Sequence, residues 1–392
     1  MKYELYCPEC GQKFEDRGFT FSCPNGCDSI VKTEYKGKNE WSGDGLWRYL
    51  SHLPVTGAVE GYREYPAIVR SEEYSEEYGA EIHFILHGYA PELGVEMKTC
   101  TFKELETIVS LKYAEERRVN VSLASVGNTA NAFMELAKYT PDVHVYLFVP
   151  EKVFECVFEV ERSENVTLIR VSGGYDMAME LARAFSERKG DVVYEGGGKS
   201  FARRDALSTL AYSFMEKAGP PDLYIQSVGS GTGAIAFHDG LERMNVSARI
   251  VVVQNEPFTP VADAWASKSR IVPEYSLDPL EVLYAKVLSN KSPLYSQRGG
   301  LYDVLTESGG QAVRVSESEA RRAGKKFKRS FGIQPFPAAE VTLAALEKIE
   351  LDGVVAVNIT GSGLDRLKKD YKVRRADPDY RVESPEDLEL IG

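Results

Sequence analysis

The strongest constraint on the fold is an alternation. Short apolar runs that read as strands occur at Asn120–Ala124, Val143–Phe148, Val166–Val171, Val192–Tyr194, Leu223–Val228, Ala248–Val253 and Gly353–Ile359. Between them lie stretches with helical patterning, at 128–138, Tyr175–Arg188, Ala206–Ala218, Ala234–Arg243 and Ala338–Ile349. Parallel neighbours in a sheet need a long crossover, usually a helix, so this repetition predicts parallel sheets of βαβ units. There are more such units than one compact sheet accommodates. The expected architecture is therefore α/β, with two lobes and a cleft between them. The 392 residues, 43% of them apolar, are sufficient for two domains. No internal repeat or low-complexity tract interrupts the pattern. The tail from about Asp377 is charged and contains proline, and reads as an arm or a mobile segment.

Composition excludes some functions. With 47 Lys+Arg against 59 Asp+Glu the net charge is −12, which argues against a nucleic-acid partner. No apolar run is long enough for a membrane span. The segment Met1–Gly11 lacks the apolar core of a signal peptide, so a cytoplasmic setting is expected. There, cysteines are thiols or metal ligands rather than disulfides. Four of the six cysteines form two knuckles, Cys7-Pro-Glu-Cys10 and Cys23-Pro-Asn-Gly-Cys27, within a ribbon-like segment 1–35. Proline and glycine turn each knuckle so that two thiolates face one ion. Four thiolates suit tetrahedral zinc and leave no open position for substrate, so the metal is read as structural. Cys100 and Cys156 stand apart and read as buried small apolar residues.

The segment Tyr224-Ile-Gln-Ser-Val-Gly229-Ser230-Gly231-Thr232-Gly233-Ala234 runs from strand through a glycine loop into a helix. Successive backbone N–H groups and the helix N-terminus of such a loop cradle a phosphate. The loop suits either a dinucleotide or the single phosphate of pyridoxal phosphate, and a bare turn is also open. A dinucleotide wants an acidic residue about 20 positions on, at the end of the next strand. Glu256 ends that strand but lies farther away. Three more segments bear on the choice: Lys98-Thr99-Cys100-Thr101-Phe102-Lys103-Glu104-Leu105-Glu106, which opens a helix; Ser125-Val-Gly-Asn128-Thr129, on a strand-to-helix turn; and Thr360-Gly-Ser-Gly-Leu364, after the last strand. Each is weak alone, as a solvated lysine, an N-cap turn or a loop. Their order carries the information.

That order resembles the threonine synthase branch of the fold-type-II pyridoxal phosphate enzymes (the tryptophan synthase β-like fold), from about residue 45 onward. The lysine motif lacks the Asp-Arg pair usual in threonine synthases. It is similar instead to that of the cysteate synthases of methanogenic archaea. So are Leu123–Thr129, Val228–Gly233, Gln254-Asn255 with Pro257 and Trp265, and Gly299-Gly-Leu-Tyr-Asp303. Glu256 departs from the pattern and is expected near the cofactor.

The resemblance implies a large lobe of residues 36–111 and 205–392, with a small lobe, 112–204, inserted in it and closing over substrate. It implies that Lys103 bonds the cofactor aldehyde and moves protons, which needs a primary amine. Asn128 holds the cofactor ring, Gly229, Ser230, Gly231, Thr232 and Gly233 bind its phosphate, and Thr360 meets the pyridine nitrogen. The implied substrates are O-phospho-L-serine and sulfite, giving L-cysteate, a step of coenzyme M formation. The alternative is the threonine synthase reaction of O-phosphohomoserine with water. Both proposed reactants are anions. Lys199 and Arg203 are the cations expected to meet them, Arg203 as a bidentate donor. Thr99, Thr101, Ser125 and Thr129 are further expected substrate contacts. A homodimer or homotrimer is implied by the resemblance alone. A dinucleotide-dependent dehydrogenase and a non-catalytic phosphoamino-acid sensor are the competing classes; the first has no use for Lys103.

Overall fold

The computed structural model describes residues 2–37 and 41–391. The chain begins with a three-stranded antiparallel ribbon of β1 (Tyr3–Tyr6), β2 (Lys13–Phe14) and β3 (Lys32–Tyr35), ordered β2-β1-β3. Then come β4 (Ala67–Arg70), α1 (Glu72–Tyr78) and β5 (Glu81–Leu86). A short hairpin, β6 (Tyr89–Ala90) and β7 (Val95–Glu96), leads into α2 (Lys103–Arg117). The next run is β8 (Asn120–Ala124), α3 (Asn128–Leu136), β9 (Val145–Pro150), β10 (Phe158–Glu159), β11 (Val166–Val171), α4 (Tyr175–Arg188) and β12 (Val192–Tyr194). The long α5 (Phe201–Ala218) leads to β13 (Leu223–Ser227), α6 (Thr232–Arg243) and β14 (Arg249–Asn255). After α7 (Pro260–Ala266), α8 (Pro279–Val282) and α9 (Leu301–Glu307) come β15 (Gln311–Val315), α10 (Glu317–Phe331), α11 (Pro337–Ala344) and β16 (Val354–Ile359). The chain closes with α12 (Leu364–Asp370), β17 (Arg374–Arg375) and β18 (Tyr380–Val382).

Two sheets organise these elements. The larger runs β15-β14-β13-β16-β5-β4, parallel throughout except for β4 at its edge. The smaller runs β12-β8-β9-β11-β18, all parallel. In β13, β14 and β16 nearly every side chain is buried, as expected for strands covered by helices on both faces. No described helix is long and apolar enough to cross a membrane.

Three expectations are corrected here. The tail is not a free arm. β18 pairs in parallel with β11, and Val382, Leu388 and Ile391 are buried in the small-sheet core with Phe148 and Phe185. These residues fall in the stretch assigned to the large lobe, yet their apolar side chains complete the other sheet. Helix α5 begins five residues before the expected Ala206. Its first turn carries three charged residues, Arg203, Arg204 and Asp205. All three are buried, because each finds partners: Arg204 donates to the carbonyls of Gly198 and Val31, and Asp205 accepts from Thr33 and Arg243. Cys100 is buried as expected, but Cys156 is exposed.

The ribbon is welded to the rest. Asp16 accepts from Tyr3, Tyr113 and Arg117, the last two on α2. Phe21 packs over Gly196, whose φ of +92° and absent side chain let the ring approach. The ribbon therefore touches both the helix that starts at Lys103 and the loop after β12.

Candidate active site

A cleft of about 1110 Å³, including its open mouth, lies where the two sheets' loops meet. Its wall combines Lys103, Ser125, Asn128, Thr129, Arg203, the loop Gly229–Gly233 and Thr360. Residues far apart in sequence are thus gathered at the carboxyl ends of parallel strands, where open α/β sheets leave a crevice.

Each is placed by local chemistry. Before α2, Cys100 adopts a left-handed φ of +59°, and Thr101 pairs with Gly361 as a single antiparallel bridge. The Phe102 N–H donates to the Thr360 carbonyl at 3.0 Å. These ties hold Lys103, the first residue of α2, and Thr360 on one wall. After β8, the Ser125 hydroxyl accepts from the N–H groups of Gly127 (3.2 Å) and Ala130 (2.9 Å). It thereby satisfies an amide in the first turn of α3, whose N-cap, Gly127, has no side chain to do so. The amides of Asn128 and Thr129 are left without a backbone acceptor among the described residues.

After β13, Val228 still donates to Val253 at 2.9 Å. Beyond it, the N–H groups of Gly229, Ser230, Gly231 and Gly233 find no backbone acceptor among the described residues. Gly231 has a φ of +88°, and a Cβ there would strike Leu301. The Ser227 hydroxyl, on the same wall, is buried with no partner. Unpaired amides at a helix start, an orphaned hydroxyl and a primary amine make a donor set for a phosphorylated group with a carbonyl. The expected pyridoxal phosphate fits it.

The charges are compensated. The Lys103 ammonium lies 3.0 Å from Glu106 Oε1 and 4.7 Å from the centre of the Phe102 ring. Arg203 donates from Nη1 to the same Glu106 oxygen at 2.9 Å. It also grips Glu195, with Nε 2.6 Å from Oε1 and Nη2 on Oε2. Glu195 further accepts from Ser110 and from the Gly197 N–H, each at 3.0 Å. Glu106 and Glu195 are fully buried. Burial disfavours the Arg203 charge, but Glu195 and Glu106 outweigh it and hold the guanidinium above its ordinary range.

Several expectations change as a result. Arg203 reaches the cleft but is no free cation for a substrate phosphate, because two carboxylates consume its charge. Lys199 is exposed and off the cleft wall. Thr99 is buried away from the cleft, its N–H and hydroxyl donating to Glu104 at 2.6 and 2.8 Å. Thr101 is also buried outside it, with its methyl against Gly361. Glu256 is exposed at the end of β14 and lines no part of the cleft. Conversely, Tyr175 and Tyr194 line the cleft from the small sheet, and Glu106 and Glu195 stand behind it. None of these four has a role in the sequence reading. Charge balance is the signal that could have found the two carboxylates, since buried cations at one site demand them.

Glu104, next to Lys103, faces away, toward Thr99 and Tyr62. Burial pushes its carboxyl up to about 8 from 4.5. The raised value means the folded state binds the proton more tightly than the unfolded state. Its contribution to stability is thus lost as pH rises from about 4.5 through about 8. Glu104→Gln is expected to flatten that loss. Urea midpoints of wild type and variant should therefore diverge in the variant's favour as pH rises; divergence in the other direction contradicts the assignment.

In the ribbon, the four thiols of Cys7, Cys10, Cys23 and Cys27 lie within 4.8 Å of one another. A family model described as pyridoxal-phosphate dependent enzyme matches residues 62–361. The cysteate synthase of Methanospirillum hungatei JF-1 is 33% identical, covering 100% of this chain and 97% of that protein. The cysteate synthase of Methanoculleus marisnigri is 34% identical, covering 98% of this chain and 94% of that protein. Among solved structures, a fungal L-serine ammonia-lyase from Rhizomucor miehei superposes with a TM-score of 0.60 at 16% identity, covering 78% of this chain and 98% of that one.

Proposed function

The chain belongs to the pyridoxal-phosphate-dependent enzymes and, among them, to the cysteate synthases; on that footing we propose that its cleft exchanges the phosphate of O-phospho-L-serine for sulfite, releasing L-cysteate. The observation that carries the reading is the meeting of Lys103, Asn128, the Gly229–Gly233 loop and Thr360 on one wall.

Bound pyridoxal phosphate supplies a place for the electron pair left when the substrate Cα loses its proton. The chain's own groups do the rest. The Lys103 amine anchors the cofactor, then takes the Cα proton and returns it after sulfite has added at Cβ. Asn128 holds the ring plane through its side-chain amide. The loop amides and the Ser227 hydroxyl grip the cofactor phosphate. Thr360 offers a hydroxyl to the ring nitrogen. A hydroxyl does not favour a protonated ring as a carboxylate does, which suits elimination and addition over transamination. The start of α3, with the Asn128 and Thr129 amides and the Ser125 O–H, meets the substrate carboxylate. With Arg203 compensated, the leaving phosphate is met by the Gly198 amide and the hydroxyls of Tyr175 and Tyr194. A dry cleft protects the reacting carbon from water, and closure of the small sheet's lobe provides it.

Chain length of the substrate is the test. O-Phosphoserine is expected to release phosphate in the presence of sulfite, and O-phosphohomoserine, one methylene longer, is not. Threonine formed from O-phosphohomoserine would contradict the reading.

We also assign zinc to Cys7, Cys10, Cys23 and Cys27, as a staple of the ribbon. Because the ribbon touches α2 and the loop after β12, chelation is expected to lower the melting temperature and the activity together. Equal melting curves with and without a chelator, on protein shown to have lost its zinc, would remove the structural role. The reading also places the enzyme in the cytoplasm as a homodimer or homotrimer.

A further inference from the structure

We infer that Glu106 is a positioning residue, which holds the Lys103 ammonium in the cleft through a charged contact. The inference deepens the proposed reaction, because it rests on Lys103 being the residue that moves the proton.

Helix geometry brings the pair together. Residues three apart on α2 share a face, so Lys103 at the first turn and Glu106 at the next are side by side. The contact is 3.0 Å, and Glu106 has no exposure to water. A fully exposed pair of this kind contributes little, whereas one whose carboxylate is fully buried, with the Lys103 side chain 19% exposed, is costly to break.

Charge balance gives the pair its purpose. Arg203 already has one carboxylate, Glu195, bound through two of its nitrogens. A second carboxylate, Glu106, leaves the buried group with one cation and two anions unless Lys103 is included. With Lys103 the count is two against two. If Glu106 served only to join α2 to α5 through Arg203, the cluster would carry an uncompensated buried charge, which is unfavourable. The second Glu106 oxygen, Oε2, is buried with no partner. The donors to this carboxylate are therefore Lys103 and Arg203, both at Oε1.

The other groups around the Lys103 nitrogen do not substitute for Glu106. From α5 comes Arg203, a like charge. From the loop after β12 comes Glu195, already held by Arg203, Ser110 and Gly197. From the start of α4 comes Tyr175, pushed up to about 12 by burial, and from β12 comes Tyr194. Glu104, on the same helix, faces Thr99. When Lys103 takes a proton from substrate, Glu106 thus meets the new ammonium and keeps the nitrogen in the cleft until the proton is returned.

The test uses the full-length protein freed of its pyridoxal phosphate, so it needs no turnover. The extent of Lys103 acylation by acetic anhydride is read by peptide mass spectrometry across a pH series. A neighbouring anion favours the protonated, unreactive amine. In Glu106→Gln the profile is expected to move to lower pH by about one unit, a roughly tenfold gain in acylation at a fixed pH below the midpoint. Glu106→Asp, which keeps the charge, is expected to stay closer to wild type. An unchanged profile in folded Glu106→Gln overturns the inference, since a helix-joining role alone would alter the melting temperature and not the profile. Should Glu106→Gln fail to fold, the wild-type spectra decide: acylation of Lys103 that needs a higher pH than that of the exposed Lys199 supports the inference, and acylation at the same or a lower pH overturns it. A protein that makes no cysteate, yet shows the shift, would lose the proposed reaction and keep the Lys103–Glu106 coupling.

Discussion

Lys103→Ala is expected to eliminate both covalent retention of the cofactor and product formation, the latter by about a thousandfold or more. No other amine stands ready to replace it. Lys103 and Arg203 are the only cationic side chains on the described wall of the cleft, and Arg203 is bound to Glu106 and Glu195. Lys199 is exposed off that wall, and Lys98 is engaged elsewhere, over the Tyr371 ring. The variant should fold with some loss of stability: Lys103 is the first residue of α2 and its side chain retains some exposure, and Glu106 keeps Arg203 as a partner. Two measurements check this: visible absorbance of the protein after dialysis against cofactor-free buffer, and cysteate yield. A variant that retains its bound cofactor through dialysis and turns over at wild-type rate would remove Lys103 from the reaction.

Arg203→Ala is expected to act through stability. Removing the guanidinium strands two carboxylates, Glu106 and Glu195, that have no exposure. Breaking a buried ionic group from one side typically costs ~3–5 kcal/mol; here Glu195 would keep only its neutral donors, Ser110 and the Gly197 N–H, and Glu106 only Lys103. The cost would be read as a fall in the urea midpoint of unfolding. A clamp for the substrate phosphate predicts the reverse pattern, with weaker O-phosphoserine binding at unchanged stability. That outcome would restore the role the sequence suggested for Arg203.

Sequence patterning reaches some of these features and not others. β11 and α4 lie at the expected bounds, Val166–Val171 and Tyr175–Arg188, because their periodicity is decided locally by which face is buried. The cleft residues were legible for a related reason. Lys103, Asn128, the Gly229–Gly233 loop and Thr360 each sit at a strand or helix end, where glycine, asparagine and hydroxyl residues stand out. What stayed hidden was partnership at a distance. Arg203 read as an anion site because its partners lie 97 residues away on α2 and beside it in a glycine turn. The acidic Glu106 sat in plain view within the lysine motif without a role. Thr99 read as a substrate contact, whereas its donors are spent on Glu104. The tail read as mobile because its few apolar residues, Val382, Leu388 and Ile391, gain meaning only against β11 and α4. In each case a charged or sparse segment is buried by partners that no local pattern announces.

Replacement of phosphate by sulfite can be measured in one assay. Protein loaded with pyridoxal phosphate is given O-phospho-L-serine with and without sulfite, and phosphate and amino-acid product are quantified together. Phosphate and L-cysteate are expected in equal amounts, dependent on sulfite. Phosphate release from O-phosphoserine that proceeds without sulfite and yields no cysteate, or no release at all, would contradict the proposed reaction.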